Sequence, residues 1–210
     1  MEIVWYGQAC FRIREMGVTV IADPFDQDSK HVLPRIRADV VTYSCAMGAG
    51  LKPRGIRGSP LIFQTPGEYE VGGVFITAVP IFCRQDKEQS PSIAFLYDFG
   101  GLTVCHLGRP GCILAQSQGE ALGSVNVLLL SIDGESTLSI EQAGEVVGLL
   151  EPNIVIPMHY RPVELAHRPG PLARFLKAMN ASETSALPGF KIRAGHLPEG
   201  MQVVLLACKQ

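Results

Sequence analysis

The stretch VTYSCAMGAGL, residues 41–51, places a thiol, Cys45, and a thioether, Met47, in a loop of small residues directly after a β-prone run. Thiolate and thioether are soft donors that suit Cu(I), or zinc when another ligand joins them. The loop holds no charge and no imidazole, so on its own it offers nothing for hard-cation or acid–base chemistry. Elsewhere the reactive side chains are scattered. Five histidines stand at 31, 106, 159, 167 and 196, and six cysteines at 10, 45, 83, 105, 112 and 208 with no CxxC pair. Glu68 and Glu70 alternate in a strand-like segment, a spacing that does not by itself establish the facing geometry an acid–base pair needs.

The elements that must position these residues are mostly short apolar strands. Runs at 3–6, 11–14, 18–22, 40–43, 61–63 and 74–79 are separated by Gly, Pro and Asp turn signals. Two more, 92–97 and 102–106, join across Gly100-Gly101 as a hairpin. The pattern then changes. Residues 113–122 are compatible with a helix, 125–131 read as a buried strand, and 139–150 place Ile140, Ala143, Val146, Val147 and Leu150 on one helical face. Ser139 with Gln142 forms the sequence of a capping box. A buried strand at 154–158, a helix at 172–179 and a closing strand at 203–207 complete the chain. Antiparallel strands first, then strand–helix–strand alternation, predict layered sheets covered by helices, an α/β (α+β) class.

With 210 residues, 47% of them hydrophobic, the chain can bury a large core as one domain, 1–210. The 18% charged fraction is low for a surface, which leaves room for a homo-oligomer. A net charge of −2 gives no field favouring nucleic acid or an anionic membrane. The N-terminal MEIVWYGQACF lacks the basic and apolar regions of a secretory leader, and no run of about 18 apolar residues occurs. A cytoplasmic protein with reduced thiols is the expectation.

Four segments together resemble the metallo-β-lactamase superfamily, and within it the small bacterial metal-dependent hydrolases related to ascorbate-6-phosphate lactonase. They are WYGQACFRI (5–13) with ADPF (22–25), TPGEYEVGGVFITAVP (65–80), VCHLGRPG (104–111) and EPNIVIPMHY (151–160). The resemblance implies a four-layer αββα sandwich with a site at one edge of two sheets. In that family, a His-x-His-x-Asp-His loop, a later His, an Asp after His-Leu-Gly and a His in Met-His-Tyr hold two divalent cations. These share a hydroxide deprotonated near neutral pH while one cation polarises the substrate.

Laid on that pattern, this chain carries Cys45 and Met47 in place of the first two His, and Ala49 and Gly50 in place of Asp and His. Cys83 falls at or within one residue of the later His, with Arg84 next to it. Arg109 replaces the bridging Asp, Gln8 stands where the relatives usually have His, and His159 is retained. A guanidinium carries a permanent positive charge, and Ala and Gly have no donor atoms, so the resemblance implies a dinuclear centre that has degenerated, with no metal expected. Packing is favoured for the sulfur side chains, since Cys and Met fill vacated space readily. Against it stands a soft site for a single Zn or Cu(I) at Cys45, Met47 and Cys83. A second reading pairs Cys45 with His159 as nucleophile and base, helped by Arg109. A third has Arg109, His159 and Gln8 hold a small carboxylated or phosphorylated metabolite without turnover. His106 reads as structural, His31, His167 and His196 as exposed, Glu68 and Glu70 as scaffold, and Asp23 as a turn residue or a site-edge contact. The leading expectation is a non-catalytic binding or regulatory protein; the alternative is a metal- or thiol-dependent hydrolase of a small ester, lactone or phosphorylated metabolite.

Overall fold

The structure, a computed structural model, describes residues 1–25, 33–45, 54–82, 92–132, 137–160 and 170–209. The strands in chain order are β1 (Glu2–Gly7), β2 (Cys10–Glu15), β3 (Val18–Ala22), β4 (Ile36–Arg37), β5 (Val40–Thr42), β6 (Ile56–Arg57), β7 (Leu61–Phe63), β8 (Gly67–Val71), β9 (Val74–Ile81), β10 (Ser92–Asp98) and β11 (Thr103–His106). There follow helix α1 (Gln116–Leu122), β12 (Val127–Ser131), α2 (Ile140–Leu150), β13 (Ile154–Met158), α3 (Pro171–Ala178), β14 (Ala186–Leu187), β15 (Phe190–Lys191), β16 (Gln202–Val203) and β17 (Leu205–Leu206).

Two large sheets form, a six-stranded one ordered β15-β1-β2-β3-β5-β7 and a seven-stranded one ordered β16-β13-β12-β11-β10-β9-β8. Alternation in the sequence explains how they face each other. Ile3, Trp5, Phe11, Ile13 and Val20 of the smaller sheet meet Ile76, Phe95, Tyr97, Val104, Leu129 and Ile156 of the larger in one continuous core. The other face of the larger sheet is covered by all three described helices, which bury Leu122, Ala143, Val146 and Phe175 against Cys105, Leu128 and Val155. β12 and β13 are therefore buried on both faces, which accounts for their unbroken apolar runs. The outer face of the smaller sheet, with Val4, Tyr6, Ile21 and Val41, is covered among the described residues by Phe25, Leu33, Ile36, Ala38 and Ile56. The result is the layered sandwich expected from the sequence, with its described helices on one side.

Local chemistry fixes the elements. The Gly100-Gly101 hairpin forms with both glycines at positive φ, 72° and 110°, and Phe99 N–H bonded to Leu102 O at 3.1 Å. Ser139 caps α2, its hydroxyl accepting from Gln142 N–H while the Gln142 side chain accepts from Ser139 N–H. Pro157 sits in a central strand because β13 is open at that point. Val155 bonds towards the β16 side, Pro157 faces the same way two residues on, and the pairing with β16 ends at Val155–Val203. The expected closing strand at 203–207 is instead two short ones, β16 and β17, that pair in different sheets.

Candidate functional site

At one edge of the sandwich, β1, β3, β5, β11, β12 and β13 all end, and the residues that follow them within three positions carry most of the candidates. Backbone strain concentrates there. Of the six described non-glycine residues at positive φ, three are at this edge: Gln8 (49°), Asp23 (42°) and His159 (58°). Each left-handed residue costs on the order of 1 kcal/mol, so such a cluster marks an edge whose loops are held in place by their surroundings.

The holding groups can be followed from loop to loop. The Gln8 carbonyl accepts from the Trp5 indole N–H at 2.9 Å and from the His159 backbone N–H at 3.1 Å. Its neighbour Ala9 presents its carbonyl to His106 Nε2 at 2.8 Å, and His106 Nδ1 accepts from Gly108 N–H at 3.2 Å. Those two bonds require the neutral tautomer with the proton on Nε2, so the fully buried His106 acts as a fixed strut. Gly108, at φ 70°, has no room for a side chain: a Cβ there would lie 2.5 Å from Ser44 Cβ. Ser131 Oγ donates to Gly108 O at 2.7 Å. Ser44 in turn donates its N–H to Asp23 Oδ1 at 2.6 Å and its hydroxyl to Asp23 Oδ2, and its carbonyl accepts from Ile93 N–H at 2.7 Å.

Asp23 is thus a site-edge contact as well as a turn residue. Ser44, Gly108 and Ser131 are framework residues that the sequence reading did not single out. Their signal was present but slight: a small polar residue where a strand ends, and the glycine of His-Leu-Gly. His106 is structural, His196 is exposed, and Glu68 and Glu70 are exposed on the edge strand β8.

On this frame sit the groups that could act on a ligand. Gln8, Cys45 and Arg109 are exposed and His159 is half-buried. The frame brings Gln8 beside His159 and puts Cys45 within electrostatic reach of Arg109. Partial burial is the main influence on the Cys45 thiol and pushes its pKa up, and the Asp23 charge adds to this. A hydrogen bond from Ser44 and the Arg109 charge oppose the rise without cancelling it. A raised pKa is the opposite of what a thiolate nucleophile needs. Met47, Ala49, Gly50, Cys83 and Arg84 lie outside the described residues, as do His31 and His167. Among the described residues no group of three or more His, Cys, Asp or Glu side chains could hold a metal ion. Among the described residues at this edge Arg109 contributes a cation and Gln8 an amide, neither of which supplies the anionic or imidazole donors that hold a pair of divalent cations.

One expectation about the cysteines is corrected. Cys10, Cys45, Cys105 and Cys208 are free, but Cys112 is disulfide-bonded. Separation along the chain does not reveal it, because pairing depends on proximity in the fold.

Comparison with known proteins agrees with this architecture. Residues 2–159 match the model of the family described as the Beta-lactamase superfamily domain. A UPF0173 protein of Pyrococcus furiosus is 26% identical over 181 residues, covering 76% of this chain and 83% of its own. A UPF0173 metal-dependent hydrolase of Carboxydothermus hydrogenoformans is 24% identical over 193 residues, covering 76% and 84%. A Thermotoga maritima structure assigned to the zinc-dependent hydrolases of the metallo-β-lactamase superfamily superposes with a TM-score of 0.78 at 32% identity, covering 98% of this chain and 97% of that one.

Proposed function

This chain belongs to the β-lactamase superfamily domain family, and from that premise we propose that it is a binding or regulatory protein on a hydrolase framework whose dinuclear metal centre has degenerated. Residues 1–210 act as one domain in this reading. The ligand is a small anionic metabolite, carboxylated or phosphorylated, received by Arg109 with His159 and Gln8 and not turned over. The observation that carries the reading is Arg109: an exposed guanidinium on the loop after β11, within electrostatic reach of Cys45 at the edge of an ordered frame. A planar guanidinium is the side chain best suited to a carboxylate or phosphate, and it opposes two adjacent cations.

The test joins metal analysis to ligand binding. Protein incubated with Zn²⁺ and passed over a desalting column is expected to keep well below two equivalents and to show no chelator-sensitive hydrolysis. A panel of carboxylated and phosphorylated metabolites is expected to raise its thermal midpoint, and Arg109→Ala to abolish the shift given by the carboxylated members. Two tightly held metal ions with turnover would overturn the reading, as would a panel without effect on wild type.

A second reading is favoured by the relatives, several of which are named metal-dependent hydrolases. It keeps an enzyme with a remodelled site, either one Zn or Cu(I) on Cys45, Met47 and Cys83 or the Cys45 thiol with His159. One equivalent of metal retained under reducing conditions, or rapid alkylation of Cys45 at neutral pH, would favour it. The raised Cys45 pKa predicts sluggish alkylation.

A further inference from the structure

A second cavity opens at the opposite end of the same strands, where β1, β13 and β16 begin and β2 ends. Its volume is about 1050 Å³, and its walls include Arg14, Lys191, Arg193 and His196 together with the apolar surfaces of Met16 and Phe190. We propose that this cleft binds a phosphorylated small molecule with an apolar or aromatic body, independently of the Arg109 edge.

The balance of charge is the first support. Two carboxylates also line the cleft, and both are committed: Glu2 pairs with Arg12 at 2.5 Å, and Glu15 with the Met1 ammonium. Among the described residues no carboxylate pairs with Arg14, Lys191 or Arg193, although the chain as a whole carries a net charge of −2. Positive charge is gathered at one place on an otherwise slightly acidic protein, and a concave wall concentrates its field.

Placement is the second support. Arg14 and Lys191 are the strand partners of Glu2 from either side, so they stand on one face two strand spacings apart, roughly 10 Å. The turn closed by His196 N–H on Arg193 O, 3.1 Å, carries Arg193 and His196 on the same rim. That rim is anchored, since Ile192 N–H bonds to Met1 O at 3.1 Å and Asn153 Nδ2 donates to Pro198 O at 3.2 Å. Cations on fixed strands lose less freedom on binding than cations on loops. Phe190 packs on the central core, and Met16 is 58% exposed, so the cleft offers an apolar surface beside its charges. Guanidinium forks match phosphate oxygens, and the space is large enough for a nucleotide-sized body.

The test uses the full chain and three probes: adenosine 5′-monophosphate, inorganic pyrophosphate and adenosine, followed by titration calorimetry. The monophosphate and pyrophosphate are expected to bind, more weakly as salt is raised, and adenosine is expected not to bind. The double variant Arg14→Ala, Arg193→Ala is expected to lose about tenfold or more in affinity. Both side chains are exposed, so an unchanged far-ultraviolet spectrum is expected and is checked alongside. In an Arg109→Ala background, which removes any binding at the other edge, both phosphorylated probes are expected still to bind and the Arg14→Ala, Arg193→Ala pair to weaken that binding, which separates this site from the one proposed above. Absence of binding by both phosphorylated probes, equal binding of adenosine, or binding that follows Arg109 instead of Arg14 and Arg193 would overturn the proposal.

Discussion

Two sets of residues share the site edge and differ in almost every physical respect. The frame of Asp23, Ser44, His106, Gly108 and Ser131 is closely packed, and its polar atoms are matched donor to acceptor. The rim of Gln8, Cys45 and Arg109 is exposed. A buried polar group left without a partner costs about 1–3 kcal/mol, whereas an exposed one changes at little cost. Frame residues are thus constrained by folding and rim residues only by what they bind, so the chemistry of such an edge can be rewritten without disturbing the sandwich beneath it.

That contrast can be broken by mutation. The largest effect is expected for Gly108→Ala. It combines a left-handed backbone with a clash against Ser44, and a loss of about 3 kcal/mol should appear as a lower denaturant midpoint. Asp23→Ala leaves Ser44 N–H and O–H without their acceptor and is expected to cost about 2 kcal/mol. Asp23→Asn, which keeps one acceptor oxygen and tolerates the left-handed backbone, should cost less. Equal losses for the two variants would mean that the Ser44 bonds contribute little.

Alkali gives a subtler test. Burial, aided by the Asp23 charge, raises the Tyr43 pKa from 10.0 to about 12. The folded state therefore holds this proton more tightly than the unfolded chain does. The resulting stability is fully present below pH 10 and is lost as pH rises from about 10 to about 12. Tyr43→Phe should flatten that part of the stability curve. Smallest of all, Cys45→Ala and Arg109→Ala are each expected to shift stability by no more than about 0.5 kcal/mol. A large loss for either would place that residue in the frame.

The sequence carried the sandwich well because period-two strands, the Gly100-Gly101 turn and the Ser139 cap are local signals, and the PGEYEV and IPMHY segments are specific. It carried the site less evenly. That Cys45 and Arg109 stand at the edge of the sheets follows from their places after two strands, β5 and β11. What Ser44 and Ser131 do is not legible, because serine at a strand end looks like any turn residue until Asp23 and Gly108 are brought to it from distant parts of the chain. The Cys112 disulfide was hidden for the same reason, and the gathering of Arg14, Lys191 and Arg193 depends on strands β2 and β15 flanking β1.

The Gln8 carbonyl, which receives both the Trp5 indole and the His159 backbone, has a practical consequence. Trp5 is the single tryptophan of the chain, with its ring 5.2 Å from that of Tyr160. An intrinsic fluorophore is therefore wired by one shared oxygen to the last loop of the edge. A ligand received at that edge is expected to alter its emission, so titrations can be followed by light on the unlabelled protein.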